Sequence, residues 1–424
     1  MKVHFLGIGG SGASAAASLA QAQGFEITGC DLEPNNEFTT QFEKSQLLKG
    51  HSPEHLENID ILAITPAITS LDADNPELVE ARNKNIPILT WQQFLGEYLA
   101  KDKFVIAVCG THGKTTTTAM IAQILEDADL DPTVELGAIH PKWKANFRIG
   151  KSRYFVIEAD EFNDNFLHLK PDITVVTTIE MDHPEYFKDL NAVSDSFEKF
   201  LIQTKQTIVA NLLDPNIAEI VKDVMKKTSI HSLDFNKLET DLNLKIPGEY
   251  NISNAKAAFQ VGLLLNINSQ TIKQSLEKYT GVGRRFELIG DYNGATIYSD
   301  FGHHPTEIKV TMEAAREKFP NQRIILIYQP HMFSRTKFLF EEFVKVFKEL
   351  EVDKTIITDI YPSREVDTGL VTSQQLVDAV SRENIIYHSP DELLPMLKHH
   401  LKNGDIVFFM GAGDSDKWAR ELIA

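Results

Sequence analysis

The chain has 424 residues, of which 42% are hydrophobic and 24% charged, an ordinary globular composition that excludes a collagen-like, coiled-coil or wholly disordered protein. Length predicts roughly two to three domains at ~150 residues each. The formal charge of −18 excludes the broad basic surface that sequence-independent nucleic-acid binding needs. An anionic ligand must therefore be held by local devices: glycine loops, helix N-termini, single Lys or Arg residues, or metal ions. Two cysteines, Cys30 and Cys109, exclude a disulfide framework and predict a reducing compartment. The opening MKVHFLG lacks a secretory h-region, and no stretch reaches the ~18 apolar residues of a membrane span. A cytoplasmic protein without membrane insertion is the expectation.

Apolar runs and helical stretches alternate along the chain. VHFL, IDILAI and IPIL read as buried strands, with SGASAAASLAQAQ a helix between them, and AKDK at residues 100–103 reads as a linker. A second block, Phe104 to about Tyr279, carries FVIAVCG, YFVIEAD, ITVVTTI and TIVAN. A third begins near Gly281, with strands TIYSD, RIILIYQ, KTIITDI, NIIYH and DIVFFMG and helices PTEIKVTMEAAREKF and TKFLFEEFVKVFKEL. Residues 225–250 have weak periodicity. This rhythm predicts an α/β protein of three domains, 1–100, 101–282 and 283–424, each with a mostly parallel sheet covered by helices. Ligands of such sheets lie beyond the carboxyl ends of strands. In the third block that rim collects Asp300, His303, His304, Gln329, His331, Tyr361, Gly411 and Gly413.

Three motifs carry chemistry. Gly7-Ile-Gly9-Gly10-Ser11-Gly12 follows the first strand and opens a helix. Gly9, Gly10 and Gly12 suit a diphosphate, with Asp31 where an acid would meet a ribose; a glycine turn for close strand–helix packing is the alternative. Gly110-Thr111-His112-Gly113-Lys114-Thr115-Thr116 follows FVIAVC and reads as a shortened phosphate loop, with Val108 where the longer pattern has its first glycine. There backbone N–H groups hold oxygens, Lys114 neutralises charge and the Thr115 hydroxyl ligates Mg²⁺. Glu158 ends YFVIEAD, where a Mg²⁺ partner is expected, and His183 follows ITVVTTI; imidazole is the weaker magnesium ligand, and a turn histidine is the alternative. Asn251 and Asn254 open a helix as caps or adenine contacts. Arg284 and Arg285 suit either a phosphoryl clamp or a salt bridge between domains.

GIGGSG, GTHGKTTTT, EADE, DH, the NxxN helix start, GRRF, DFGHHPTE and QPHMFSRT occur in this order over nearly the whole chain. Together they resemble the Mur ligase family, and HHPTE with QPHxxxRT resembles its alanine-adding branch. The resemblance implies a Rossmann-like UDP-binding domain, a P-loop-like central ATPase domain and a Rossmann-like amino-acid-binding domain. It implies ATP-dependent joining of L-alanine to UDP-N-acetylmuramate through an acyl phosphate, with Mg²⁺. Gly9, Gly10 and Gly12 would face the UDP diphosphate, and Gly110 to Thr116 the ATP phosphates. Glu158 and His183 would position magnesium, Asn254 the adenine, Arg285 the γ-phosphate and Asp300 the ribose. His303 and Arg335 would lie near the amino acid. Phe301 stands for the branch's usual Tyr and Met332 for Arg, which predicts altered amino-acid preference or affinity; Tyr250 stands for His and Thr178 for Asn. A ligase for a recycled murein tripeptide is the second reading, and a nicotinamide-dependent oxidoreductase or an ATP-hydrolysing switch are rivals from other classes. No motif assigns an oligomeric state, or Lys199 to carbamylation.

Overall fold

Val3, His4, Phe5 and Leu6 are all buried, as a central strand covered on both faces requires. The computed structural model describes Met1–Ala424, with side chains at every position but 70 and 71. The first sheet holds β1 (Lys2–Leu6), β2 (Glu26–Asp31), β3 (Leu47–Lys49), β4 (Ile61–Ile64) and β5 (Ile88–Thr90). Its order is β3-β2-β1-β4-β5 and every pair is parallel. Strand order reverses between β1 and β4, which opens a crevice at the carboxyl end of β1.

The second sheet comprises β6 (Phe104–Cys109), β7 (Thr133–His140), β8 (Ala145–Arg148), β9 (Tyr154–Glu158), β10 (Ile173–Val176), β11 (Thr207–Ala210) and β12 (His231–Asp234). Its order is β12-β11-β10-β6-β9-β7-β8, parallel except for the β7–β8 hairpin. The third has β13 (Glu287–Tyr292), β14 (Ala295–Asp300), β15 (Ile324–Tyr328), β16 (Lys354–Ile357), β17 (Ile385–Tyr387) and β18 (Ile406–Met410). Its order is β13-β14-β18-β15-β16-β17, with β13 alone antiparallel. Alternate residues of β14, β15 and β18 feed two cores: Tyr298, Leu326 and Phe408 on one face, Ile297, Ile325 and Val407 on the other.

The chain forms two compact units. One contains Met1–Glu180, Leu190–Asn243 and Ser253–Tyr279; the other contains Met181–Asp189, Leu244–Ile252 and Thr280–Ala424. The first and second sheets thus share a unit, and the segment at 100–103 joins them within it. The helix Ser11–Ala22 packs against β7 and β8. Asn146 Nδ2 donates to the Ser11 carbonyl.

Every apolar run read as a strand forms one. The run TKFLFEEFVKVFKEL divides at Leu339 into helices Phe333–Phe338 and Phe340–Glu349, because Leu339 leaves helical geometry at φ −95° and ψ 23°. Strands β3, β7, β8, β12 and β13 lack the apolar run that marks the others. β12 is a half-exposed edge, HSLD, within the least legible stretch. β13 is also an edge and is bulged between Leu288 and Gly290. Among the described residues no helix is long and apolar enough to cross a membrane.

Gly12 is held by packing. A Cβ there would lie 2.2 Å from Trp91 Cζ2, on the helix that follows β5. Gly12→Ala should lower the unfolding free energy by ~1–3 kcal/mol in urea titrations, the usual cost of an overpacked contact. Unchanged stability would show that the ring yields freely.

Candidate functional site

β6 ends at Cys109 between β10 and β9, so the loop beyond it opens at the centre of the carboxyl edge. Gly110 holds φ +134°, and a Cβ there would lie 2.1 Å from Thr177 Oγ1; Gly113 holds φ +82°, and a Cβ would lie 2.5 Å from Asn254 Oδ1. Both positions require glycine. The helix Lys114–Asp127 starts immediately, with Gly113 as its N-cap, so its first N–H groups face the loop. Thr178 ties the loop down: its carbonyl accepts from Thr111 N at 2.8 Å and its hydroxyl from His112 N at 2.9 Å. The His112 ring faces Glu180, Nε2 to Oε2 3.6 Å. Thr116 is buried in the first turn of the helix.

Lys114 Nζ donates to the Gly110 carbonyl at 2.6 Å and to Glu161 Oε2 at 2.9 Å. Burial opposes its charge, but Glu161, Asp160 and Glu158 outweigh burial and raise its pKa, so the cation is permanent. Beside it, Thr115 Oγ1 donates to Glu158 Oε1 at 3.0 Å, and Glu158 Oε2 accepts from Gly137 N at 2.9 Å. Two neighbouring ligands of an octahedral Mg²⁺, each ~2.0–2.1 Å from the ion, lie about 2.9 Å apart. The hydroxyl and carboxylate are hard oxygens at that spacing, so Thr115 and Glu158 fit magnesium. Glu135 on β7 is buried nearby; burial, then the charge of Glu158, push its carboxyl well above the usual range.

At the β1 crevice, Gly9 N donates to Asp31 Oδ2 at 3.1 Å and Asn36 Nδ2 to the Gly9 carbonyl at 2.9 Å. Asp31 therefore buttresses the glycine turn. Gly10 caps the helix with open space beside it, the nearest atom to a Cβ being the Gly7 carbonyl at 3.6 Å. Asn254 lies against Gly113, over the phosphate loop. Asn251, in the first turn of the helix Glu249–Leu264, donates from Nδ2 to the Pro247 carbonyl at 2.6 Å.

The second unit gathers the rim residues of the third sheet. Asp300, 5% exposed, accepts from Phe286 N and Gly302 N at 2.8 Å each. Burial raises its pKa against the pull of Arg285 and those two N–H groups. The Arg284 and Arg285 guanidinium carbons each lie 4.8 Å from the centre of the Phe301 ring, which makes a stacking platform for both cations. Arg284 Nη2 also donates to the Gly411 and Gly413 carbonyls, at 2.8 and 3.1 Å. Arg285 keeps a long ion pair to Glu307 at 3.9 Å.

Arg335 is 1% exposed. Its Nε donates to Asp182 Oδ1 at 2.8 Å, and Nη1 meets His331 Nδ1 at 2.9 Å. Burial would raise Asp182, but His183 and Arg335 hold its carboxyl well below the usual range. His183 belongs to this unit, not to the unit of Glu158. Its ring meets Glu185 Oε1 at 3.3 Å and its own backbone N–H is 2.7 Å from Asp182 Oδ1; Arg364 pairs with the same Glu185. Met332 is fully buried at φ +70° and ψ +136°, a strained backbone for a methionine, its N–H bonded to the Tyr361 carbonyl at 2.8 Å. His303 Nδ1 lies 3.2 Å from the Phe301 carbonyl, and its ring is 5.4 Å from that of His331. Burial, then Arg335, push His303 down to about 3.

The three sheets correspond to three family descriptions: "Mur ligase family, catalytic domain" at residues 2–103, "Mur ligase middle domain" at 108–241 and "Mur ligase, glutamate ligase domain" at 284–413. The chain is 40% identical to the UDP-N-acetylmuramate–L-alanine ligase of Acetivibrio thermocellus, over 97% of this chain and 93% of that one. The chain belongs to the Mur ligase family. Mur ligase structures share its fold. The UDP-N-acetylmuramate-alanine ligase of Thermotoga maritima matches with a TM-score of 0.81 at 26% identity, over 100% of this chain and 98% of that one. The murein peptide ligase of Psychrobacter arcticus matches at 0.72 and 24%, over 100% and 98%.

For a Mur ligase read from sequence, the structure brings Lys114, Thr115 and Glu158 together in one unit and Arg285, Asp300, His303 and Arg335 in the other. Sequence reasoning missed Glu161 as the Lys114 counter-ion, Glu135, and Asp182 as the Arg335 partner. The EADE and DH runs carried the signal for Glu161 and Asp182. The buried neutral imidazole makes a pH prediction. On acidification the unfolded chain takes up a proton near His303's ordinary 6.5 while the native ring refuses it down to about 3, so stability falls as pH drops through that window. Glu185, held near 2 against burial by His183 and Arg364, adds a loss in the same direction below 4.5. His303→Gln should flatten the stability-versus-pH slope between 6.5 and 4.5 in urea titrations. An unchanged slope would place the proton uptake elsewhere.

Proposed function

We propose that the chain joins L-alanine to the lactyl carboxylate of UDP-N-acetylmuramate at the expense of ATP. The observation that carries the substrate assignment is its full-length likeness to alanine-adding Mur ligases. The phosphate loop supports the chemistry. The UDP diphosphate would lie at the glycine turn after β1, near Gly9 and Gly10, and the ATP phosphates on Gly110 to Thr116. Asn254 would approach the adenine and Asp300 the ribose. Thr115 and Glu158 would hold a magnesium ion, with His183 a less suited ligand. When bound, that ion supplies positive charge to the phosphate oxygens. The proposed domain boundaries lie near residues 100 and 282. The cytoplasm is the proposed compartment, since Cys30 and Cys109 are both unpaired and buried.

A muramyl carboxylate oxygen would attack the γ-phosphorus, forming an acyl phosphate as the bond to ADP breaks. The amine of L-alanine would then attack the carbonyl carbon, losing a proton as inorganic phosphate leaves. The first step brings like charges together, a repulsion of about 4 kcal/mol at ~4 Å and an effective dielectric near 20. Lys114 and Arg285 offset it. Lys114 is anchored so that its charge is fixed before the substrates arrive, which is electrostatic preorganisation. His303 and Arg335 would shape the amino-acid pocket. Arg335 does so through His331, since its guanidinium is committed to Asp182 and His331.

The test is ADP release and product mass with UDP-N-acetylmuramate, ATP, a panel of amino acids and the recycled tripeptide. L-Alanine should give the muramyl-alanine product. Lys114→Ala should lower kcat at least ~100-fold in a chain that still folds. Phe301→Tyr and Met332→Arg should move the amino-acid KM and leave that of ATP. Preference for the tripeptide would transfer the assignment to the recycling ligase, and near-normal turnover by folded Lys114→Ala would overturn the role of the loop. NADH binding with no UDP-sugar binding would favour the oxidoreductase, which leaves the phosphate loop unused.

A further inference from the structure

On the face of the first sheet opposite Phe5, four potential metal ligands converge in the interior: His4 on β1, Cys30 on β2, His55 on the turn Pro53–Leu56 and Glu77 at the start of the helix Pro76–Asn83. One donor atom from each lies within 4.8 Å of every other. Glu77 Oε1 is 3.1 Å from Cys30 Sγ and 3.0 Å from His55 Nδ1, and Glu77 Oε2 is 3.2 Å from His4 Nε2. His51 stands at the rim, its Nδ1 3.4 Å from Cys30 Sγ. His4 and Glu77 are 0% exposed.

Hydrogen bonding explains half of this cluster. Glu77 Oε1 is satisfied by the Cys30 thiol, His55 and Ser52 N, the last at 3.1 Å. Glu77 Oε2 and His4 Nε2 face each other, and neither has a hydrogen bond of acceptable geometry. They stand at ion-pair distance, 3.2 Å, with no hydrogen-bonding partner of their own in so buried a place. We propose that His4, Cys30, His55 and Glu77 form a structural zinc site.

The donor set selects the metal: two imidazoles, a thiolate and one carboxylate oxygen suit zinc and exclude magnesium and calcium, which take oxygen. With bonds of ~2.0–2.3 Å, the edges of a tetrahedral site measure about 3.3–3.7 Å. The three separations to Glu77, 3.0–3.2 Å, need to open by a few tenths of an ångström, and the remaining donor atoms already lie within 4.8 Å of one another. Loading would release the thiol proton to solvent, and a dication with one thiolate and one carboxylate is neutral overall, which removes the burden of a buried charge. The orienting contact a ligating histidine needs is present, His4 Nδ1 to Thr28 Oγ1 at 2.8 Å. The Cys30 carbonyl also accepts from Gly7 N and Ile8 N, at 2.9 and 3.1 Å. The ion would therefore brace the back of the glycine turn, independently of the reaction performed.

The test uses the full chain, stripped with a chelator and titrated anaerobically with Co²⁺ without ATP or Mg²⁺. One cobalt per chain should bind, with tetrahedral d–d absorption and a thiolate-to-cobalt charge-transfer band, and one equivalent of Zn²⁺ should bleach both. Cys30→Ser should remove the charge-transfer band, while Cys109→Ser and Glu158→Gln leave it intact. Thr28→Val, which keeps every ligand, should weaken binding by about 10–100-fold. His55→Gln, on a turn with a partly exposed side chain, covers the case in which Cys30→Ser fails to fold, and should abolish tight binding. A folded wild-type chain with no charge-transfer band, or a band that survives Cys30→Ser or His55→Gln, overturns the site.

Discussion

The repulsion between a carboxylate and a triphosphate is the constraint from which the rest follows. This chain carries a net charge of −18, so its general field opposes the encounter. Positive charge is instead concentrated at points and held there. Lys114 is fixed by two loop carbonyls and by Glu161, and the loop is locked by Thr177 and Thr178, just beyond β10. In the proposed reaction the counter-ion would have a cost, because Glu161 shares the charge offered to the phosphates. Its benefit would be geometric: the ammonium is already held in place by its loop and counter-ion contacts before any nucleotide binds. Thr115, the next residue of that helix, bonds to Glu158 at the end of β9, with Glu135 buried near them.

The second unit solves a different problem, the placing of cations around an aromatic ring and imidazoles. Phe301 lies between Arg284 and Arg285, and Arg335 is buried against Asp182 and His331. A tyrosine at 301 would add a hydroxyl to this platform, and an arginine at 332 would add a cation beside one already buried. Two of the departures from the family pattern, Phe301 and Met332, therefore fall beside stacked or buried cations. Met332 holds a left-handed backbone with its side chain fully enclosed, a local strain compensated by its bonds to Tyr361 and Thr336.

Much of the fold was legible because its central strands are continuous apolar runs, and such runs have few other fates. β3 and β8 were not, since three or four residues carry no period. β13 was hidden by its bulge. The phosphate loop was legible because glycine at 110 and 113 answers a backbone demand written locally. Arg335 was read as a ligand contact, yet its partner Asp182 lies 153 residues away in sequence, a distance that spacing cannot reveal. Gly12 likewise belongs to a motif associated with diphosphates, but Trp91, remote in the chain, supplies its reason. The zinc cluster left no motif at all, because its four ligands come from four separate elements.

The account rests on transfer of the γ-phosphoryl group to the substrate carboxylate, and isotope tracing follows that transfer directly. UDP-N-acetylmuramate labelled with ¹⁸O in its lactyl carboxylate, turned over with ATP and L-alanine, should deliver one labelled oxygen to each phosphate released. Unlabelled phosphate, with its new oxygen drawn from water, would contradict the account.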